Sequence, residues 1–223
     1  ISEISFQTYN GSALTPVVTI KDGETTLTEN SDYTITLPEG GCVNAGDYTV
    51  TITGKGNYTG TVEKTFTINP RVTISGALTL TEYGNRTTAE IQGDFTNISS
   101  EGKSLEILNP KTVNKVIFKR SFSKGIPATI MLPFGFTPKN TIGNFYTLAS
   151  VAPDKNGVWT ATMSNPVTYV EANKPYIFKS AVEELNEMSF EDENGITLQS
   201  TSTIEINTNG DWTLHGVYQK TSN

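Results

Sequence analysis

The stretch Asp47-Tyr48-Thr49-Val50-Thr51-Ile52-Thr53 alternates polar and apolar residues with a period of two. Successive side chains of a strand point to opposite faces, so this pattern predicts a half-buried strand with the tyrosine, valine and isoleucine on its inner face. Residues 32–37 alternate in the same way, and so does a later stretch in which Val62, Phe66 and Ile68 are predicted to face inward. Several short strands separated by turn residues predict a β-sandwich.

Pro70 marks a predicted domain boundary. Proline cannot donate to a β-ladder and restricts the residue before it, so the preceding strand is expected to end at Asn69. We therefore predict a first domain over residues 1–69 and a second over residues 70–223, which is again rich in predicted strands. One stretch of the second domain, residues 181–188, fits a short helix and an edge strand equally well.

Composition narrows the class of protein. Of the 223 residues, 35% are hydrophobic and 17% are charged, which is too polar for a membrane protein and too uncharged for a typical disordered chain. The net charge is −7, so the basic surface of a nucleic-acid binder is missing. No apolar run approaches the roughly 20 residues of a membrane span, which predicts no membrane insertion. The chain begins with Ile1, and we expect it to be an excised fragment of a longer protein.

Motifs of tyrosine, glycine and asparagine recur at the turns and strands of the first domain: Tyr9-Asn10-Gly11, Asp32-Tyr33, Ala45-Gly46-Asp47-Tyr48, Gly56-Asn57-Tyr58-Thr59-Gly60 and Thr65-Phe66-Thr67-Ile68. On these motifs, residues 9–68 resemble a bacterial Ig-like surface repeat. The resemblance implies a small Ig-like β-sandwich, in a family whose modules occur in tandem in very long secreted proteins.

Further motifs rich in aromatic residues and proline lie in the second domain: Phe118-Lys119-Arg120-Ser121-Phe122, Pro127-Ala128-Thr129-Ile130-Met131-Leu132-Pro133-Phe134, Ala172-Asn173-Lys174-Pro175-Tyr176 and Asp211-Trp212-Thr213. They resemble an uncharacterised β-rich module of large surface proteins of gut anaerobes. In similar sequences the chain continues past the position of Tyr218, so we expect this domain to be truncated at its C-terminus. The predicted fold class is all-β: a small Ig-like β-sandwich followed by a larger antiparallel β-sandwich-like domain.

Residues for catalysis or metal binding are scarce. His215 is the one histidine and Cys42 the one cysteine, which are too few ligands for a zinc site. On a strand His215 faces away from Trp212 and Leu214 and is expected to be solvated, and no Gly-x-Ser-x-Gly motif is present to supply an activated serine. We predict no enzyme activity, no cofactor and no metal site, with His215 at the surface and Cys42 as a buried thiol. The densest acidic cluster, Glu191-Asp192-Glu193, precedes the turn pair Asn194-Gly195 and is predicted to be an exposed hairpin tip. A calcium site and catalytic carboxylates are the alternatives.

Aromatic residues are the first candidates for ligand contacts, since exposed rings in β-sandwiches stack on sugars. Ala161 and Met163 follow Trp159 at a period of two, and Leu214 follows Trp212 in the same way. This pattern predicts that both indoles are buried and structural.

Two tyrosines, Tyr169 and Tyr176, flank a predicted turn at residues 171–175. We therefore expect them to be exposed, and they are the candidate sugar contacts.

A basic run is the second candidate for a binding surface. Lys115, Lys119 and Lys124 lie in a stretch with Lys111 and Arg120 and without an acidic residue. One interpretation is a solvated edge strand protected against aggregation. The other is a patch for an anionic glycan or for an acidic module such as the first domain, which holds three lysines against eight acidic residues.

These observations predict a non-catalytic structural or adhesive segment of a larger secreted or cell-surface bacterial protein. Its expected partners are neighbouring domains of the same protein, a glycan, or a host or cell-surface protein, and no nucleic acid. The alternative is a carbohydrate-binding module of a polysaccharide-degrading system. A row of exposed aromatic rings would favour that alternative.

Overall fold

The protein is all-β, as predicted from the sequence. The computed structural model describes residues 1–93, 104–216 and 218. Within these ranges the regular structure consists of strands, and no helix is present. Of the stretch that fitted a short helix and an edge strand equally well, residues 181–183 are a bend and the rest belongs to a long strand, Glu184–Leu198, at the edge of its sheet.

The chain divides into two compact units. The first comprises Ile1–Thr73 and Leu80–Thr87, and the second comprises Ile74–Thr79 and Thr88–Asn223. The strand before Pro70 ends at Asn69, as the proline predicted.

The first unit is built around one mixed sheet. Its strands are β1 (Gln7–Thr8), β2 (Lys21–Asp22), β3 (Thr25–Thr26), β4 (Tyr33–Thr36), β5 (Gly46–Gly54) and β6 (Thr61–Asn69). The sheet has the order β1-β6-β5-β4, in which β1 runs parallel to β6 and the other pairs are antiparallel. Strands β2 and β3 form a separate short hairpin.

The alternating pattern correctly predicts most of the core of this unit. Val50 and Phe66 are fully buried and pack with Cys42, whose thiol is free. Burial raises the pKa of the Cys42 thiol, which keeps it protonated and unreactive. The prediction for Val62 is wrong, because this side chain is 38% exposed and lines an open cleft of about 300 Å³ together with Ile52.

The remaining strands, in chain order, are β7 (Arg71–Ser75), β8 (Leu78–Glu82), β9 (Thr87–Gln92), β10 (Lys111–Ser123), β11 (Pro127–Met131), β12 (Gly143–Tyr146), β13 (Leu148–Pro153), β14 (Trp159–Met163), β15 (Pro175–Ser180), β16 (Glu184–Leu198), β17 (Asn207–Asn209) and β18 (Trp212–Leu214). They form a five-stranded sheet of order β16-β10-β9-β8-β7 and a three-stranded sheet of order β11-β15-β12. The pairs β13–β14 and β17–β18 are separate two-stranded hairpins. Because β9 and β10 are parallel, the larger sheet is mixed and the expectation of a wholly antiparallel second domain is wrong.

A continuous group of phenylalanines, here called the phenylalanine core, connects the three-stranded sheet with β10 and β16 of the five-stranded sheet. Successive ring centroids are 4.7–5.8 Å apart, within the range of favourable aromatic pairs. The rings come from both sheets and from the segment after β11: Phe122, Phe134, Phe136, Phe145, Phe178 and Phe190.

The acidic cluster does not form a hairpin tip. Glu191-Asp192-Glu193 and Asn194-Gly195 are exposed or half-buried residues within β16 itself. The register changes here: Val113 pairs with Ile196, whereas Lys115 pairs with Glu191. The stretch is therefore a bulge in a long strand, which accommodates a turn-forming pair without reversing the chain.

Because each unit has its own buried core, a core substitution in one unit should destabilise that unit alone. Phe178→Ala removes a fully buried ring from the second unit, and Phe66→Ala removes one from the first. Each should lower the free energy of unfolding of its own unit by about 3–5 kcal/mol. Amide exchange measured by NMR should show the loss of protection confined to one unit in each variant. Phe6→Ala, at a ring that is 66% exposed, is the control and should change little. Equal loss of protection in both units would contradict separate cores.

A buried hydrogen bond joins Tyr218 to Asn173 in the second unit. The Tyr218 hydroxyl donates to Asn173 Oδ1 at 2.9 Å, and Asn173 Nδ2 donates to the Ser200 carbonyl at 2.8 Å. Burial raises the pKa of Tyr218 well above its usual range. Burial also raises the pKa of Tyr176 in the same unit.

The raised pKa of Tyr218 predicts that the free energy of unfolding decreases at alkaline pH. The folded unit keeps the Tyr218 proton at a pH where the unfolded chain releases it, so its contribution is complete below about pH 10 and declines as the pH rises further. Tyr218→Phe should make the decline above about pH 10 shallower, and the remaining decline belongs to the other groups whose pKa is raised in the folded chain, among them Tyr176, Tyr33 and Cys42. Urea denaturation at several pH values measures it, with Tyr169→Phe as the surface control. An unchanged slope in Tyr218→Phe would contradict the assignment.

Candidate functional site

Two exposed tryptophans lie side by side on the second unit. Trp159 is 60% exposed and Trp212 is 44% exposed. Their ring centroids are 5.3 Å apart and their planes are inclined at 51°. We call these two residues the tryptophan pair. They present one continuous apolar surface to solvent.

A tight turn positions the first indole. Asp154 Oδ1 accepts hydrogen bonds from the backbone N–H groups of Asn156 at 2.8 Å and Val158 at 2.9 Å. Gly157 completes the turn with φ +78°, a backbone conformation that residues other than glycine rarely adopt. The turn joins β13 to β14, so Trp159 is the first residue of the returning strand and lies opposite Pro153.

A second turn positions the other indole in the same way. Gly210 has φ +58° between Asn209 and Asp211, and Trp212 follows as the first residue of β18. Its cross-strand partner is Asn209. Strand β13 contacts both β17 and β18, and this packing of one hairpin against the other brings the two indoles together.

The prediction that both tryptophans are buried is wrong. It assumed that apolar residues at a period of two face a second layer of structure. Strands β14 and β18 instead belong to two-stranded hairpins, and β14 is exposed over its first four residues. The sequence does contain a signal that could have indicated exposure, because each tryptophan closely follows a glycine-containing turn.

The two candidate tyrosines have different environments. Tyr169 is 53% exposed, as expected, and its role in ligand contact stays a prediction. The expectation that Tyr176 is exposed is wrong: it is 2% exposed, and its hydroxyl accepts a hydrogen bond from the Glu171 backbone N–H at 3.1 Å. The reason is that β15 is the central strand of its sheet, paired with β11 from Pro175 and with β12 from Ile177.

The basic run does not lie on an edge strand, so the interpretation as a protected edge is wrong. Strand β10 pairs with β9 on one side and β16 on the other. Each of the three candidate lysines has a carboxylate partner: Lys115 with Glu191 at 2.7 Å, Lys119 with Glu90 at 2.7 Å, and Lys124 with Glu183 at 2.8 Å. An anionic-ligand patch stays a prediction, and these acidic partners reduce the positive potential it would need.

The one histidine and the possible metal ligands of the described residues are the remaining candidates for a catalytic or metal site. His215 is exposed, as predicted, although it lies directly after β18 rather than on a strand. Among residues 1–93, 104–216 and 218, no group of three or more histidine, cysteine or acidic side chains could hold a metal ion. The same part of the chain contains no helix that is long and apolar enough to cross a membrane.

Comparisons with known proteins add no assignment, since no protein-family model, no curated protein and no solved structure matches the chain. The resemblances of residues 9–68 to a bacterial Ig-like repeat and of residues 113–218 to a surface module therefore stay predictions. The candidate site rests on its own geometry.

Exposure predicts that the tryptophan pair contributes little to stability. Trp159→Ala or Trp212→Ala should lower the free energy of unfolding by about 1 kcal/mol, the contribution of one aromatic pair. Tyr176→Ala removes a buried ring of similar chemistry from the same unit and should cost about 3–5 kcal/mol. Urea denaturation of the three variants measures the difference. A loss in the tryptophan variants as large as in Tyr176→Ala would show that the indoles are structural.

Proposed function

We propose that this chain is a non-catalytic adhesive segment of a larger secreted or cell-surface bacterial protein, and that it binds saccharide through the tryptophan pair. The observation that carries the proposal is the pair itself, two large indoles that remain about half exposed although they touch one another. Exposed apolar surface of this kind, bordered by polar residues, is typical of interaction sites.

The chemistry of the pair suits a sugar. An indole combines a broad apolar face with a polar edge, and a pyranose ring has an apolar face of C–H groups surrounded by hydroxyls. Stacking one on the other removes both apolar faces from water while the hydroxyls stay available for hydrogen bonds. Two adjoining indoles enlarge the apolar area without any change in the backbone.

Rigid support favours binding at this place. Each indole follows a short turn in which a glycine adopts a left-handed conformation, and the first turn is held by two hydrogen bonds to the Asp154 carboxylate. A ligand that meets a surface already in its binding geometry spends less free energy on ordering it.

The exposed pair also favours the second candidate, a carbohydrate-binding module of a polysaccharide-degrading system. Both candidates use the same surface and the same ligand chemistry. They differ in the source of the saccharide: a host or cell-surface glycan for adhesion, and a plant or microbial polysaccharide for degradation.

A glycan array tests the proposal. The full chain should bind a subset of saccharides, and Trp159→Ala or Trp212→Ala should weaken this binding by at least roughly tenfold, equivalent to about 1.4 kcal/mol. The kind of glycan bound, host or polysaccharide, separates the two candidate functions. Turnover of any bound saccharide, abolished by substitution of one carboxylate, would contradict the non-catalytic assignment.

The matched control is Tyr169→Ala, which removes another exposed aromatic ring from the same unit. It should leave binding to the array unchanged if the tryptophan pair is the site. Circular dichroism of each variant confirms that the fold is retained. Absence of binding by the unsubstituted chain to any saccharide would overturn the proposed function.

A further inference from the structure

We infer that the tryptophan pair selects uncharged saccharides over anionic ones, an inference that rests on the proposed function. It follows from the charges that the two hairpins carry and from the residues that share the face of the indoles. These features indicate which class of saccharide binds, whereas exposed indoles alone indicate only that a saccharide could bind.

The hairpins that carry the pair are acidic. Residues 147–163 and 204–216 contain one lysine, Lys155, and three carboxylates, Asp154, Glu205 and Asp211. All four side chains are exposed, and Asp211 immediately precedes Trp212. A uronate or sulfate group brought to this surface would meet like charges, which disfavours an anionic ligand.

The face of the indoles is otherwise uncharged. Directly opposed residues of an antiparallel pair lie on the same face of the ribbon, so Pro153 lies beside Trp159 and Asn209 beside Trp212. Proline extends the apolar area, and the asparagine amide can both donate and accept hydrogen bonds with sugar hydroxyls. This combination of two indoles, one proline and one amide matches the groups of a neutral pyranose.

The cations that could recognise an acidic glycan lie elsewhere. Lys115 and Lys119 are on β10, Lys124 directly follows it, and each forms an ion pair with a glutamate. They therefore provide no positive charge on the hairpins, where Lys155 is outnumbered by three carboxylates, and the nearby Lys174 is paired with Glu171. The basic run and the tryptophan pair are separate features of the second unit.

A protein partner is a less favourable occupant for this surface. Stable protein–protein interfaces bury about 800 Å² on each side around an apolar centre. The residues directly opposite the indoles are a proline and an asparagine rather than further large apolar side chains, although Val158 and Ile206 are also exposed. The test below therefore includes self-association and protein binding as outcomes.

Titration of the full chain with oligosaccharides tests the inference. The probes are neutral gluco-, galacto- and xylo-oligosaccharides, compared with oligogalacturonates and sulfated oligosaccharides of similar length. We expect a neutral probe to bind, to change the tryptophan fluorescence, and to keep its Kd within about twofold between 0.05 M and 0.5 M salt, since uncharged contacts are not screened. The anionic probes should bind at least tenfold more weakly.

A charge-reversal variant sharpens the test. Asp211→Lys places a cation next to Trp212 and should bring the affinity for the anionic probes closer to that for the neutral ones, most clearly at low salt. Asp192→Lys, an equal change of charge on the exposed bulge of β16, is the matched control and should not. A thermal melt of each variant confirms that it is folded.

The outcomes separate this inference from the proposed function. Preferential, salt-sensitive binding of anionic probes that is lost in Trp159→Ala overturns the inference and leaves the proposed function standing. Binding that survives loss of both indoles overturns the site. If no saccharide binds, and light scattering shows an assembly or a protein complex that the tryptophan variants abolish, both are overturned.

Discussion

Ring contacts among the phenylalanines hold the three-stranded sheet against β10 and β16 of the five-stranded sheet. Phe178 is central, because it contacts Phe122 of the five-stranded sheet at 4.9 Å and Phe145 of its own sheet at 4.7 Å. Buried aromatic rings contribute more apolar area than other core side chains. With these rings filling the space between the sheets, the core does not need the two tryptophans.

The hairpins β13–β14 and β17–β18 are therefore supported by local interactions. Each turn contains a glycine in a left-handed conformation, the Asp154 carboxylate holds the first turn, and the contact between the indoles joins one hairpin to the other. An aromatic pair contributes about 0.5–1.5 kcal/mol beyond its buried area, whereas truncating a buried ring costs about 3–5 kcal/mol. Stability alone would be served as well by smaller side chains at these positions, which is why binding is the better explanation of two half-exposed indoles.

Much of the fold could be predicted from the sequence because period-two alternation and turn residues are local signals. The core of β5 and most of that of β6 follow from alternation, and the end of β6 follows from Pro70. The parallel pairs β1–β6 and β9–β10 could not be predicted, since alternation does not reveal which strands become neighbours. The bulge of β16 was mistaken for a hairpin because Asn194-Gly195 suits either structure.

At the candidate site, the alternating pattern fails to predict which residues are buried. Alternation tells which residues share a face, but the burial of that face depends on whether another layer covers it, and that is a property of the whole unit. Tyr176 and Trp159 illustrate both outcomes: the tyrosine belongs to the central strand of a covered sheet and is buried, and the tryptophan belongs to an uncovered ribbon and is exposed.

Turn chemistry supplies the local information that alternation lacks. A strand that starts directly after a tight turn places its first residues at the tip of a hairpin, where a covering layer is least common. Trp159 and Trp212 both occupy such a position, after Gly157 and Gly210 respectively. A large aromatic residue there loses the benefit of burial in the core, so its presence at two turns that meet in space is the strongest functional signal in this chain. The same reasoning separates the pair from Tyr169, which is exposed but is not paired with a second ring in the contacts described.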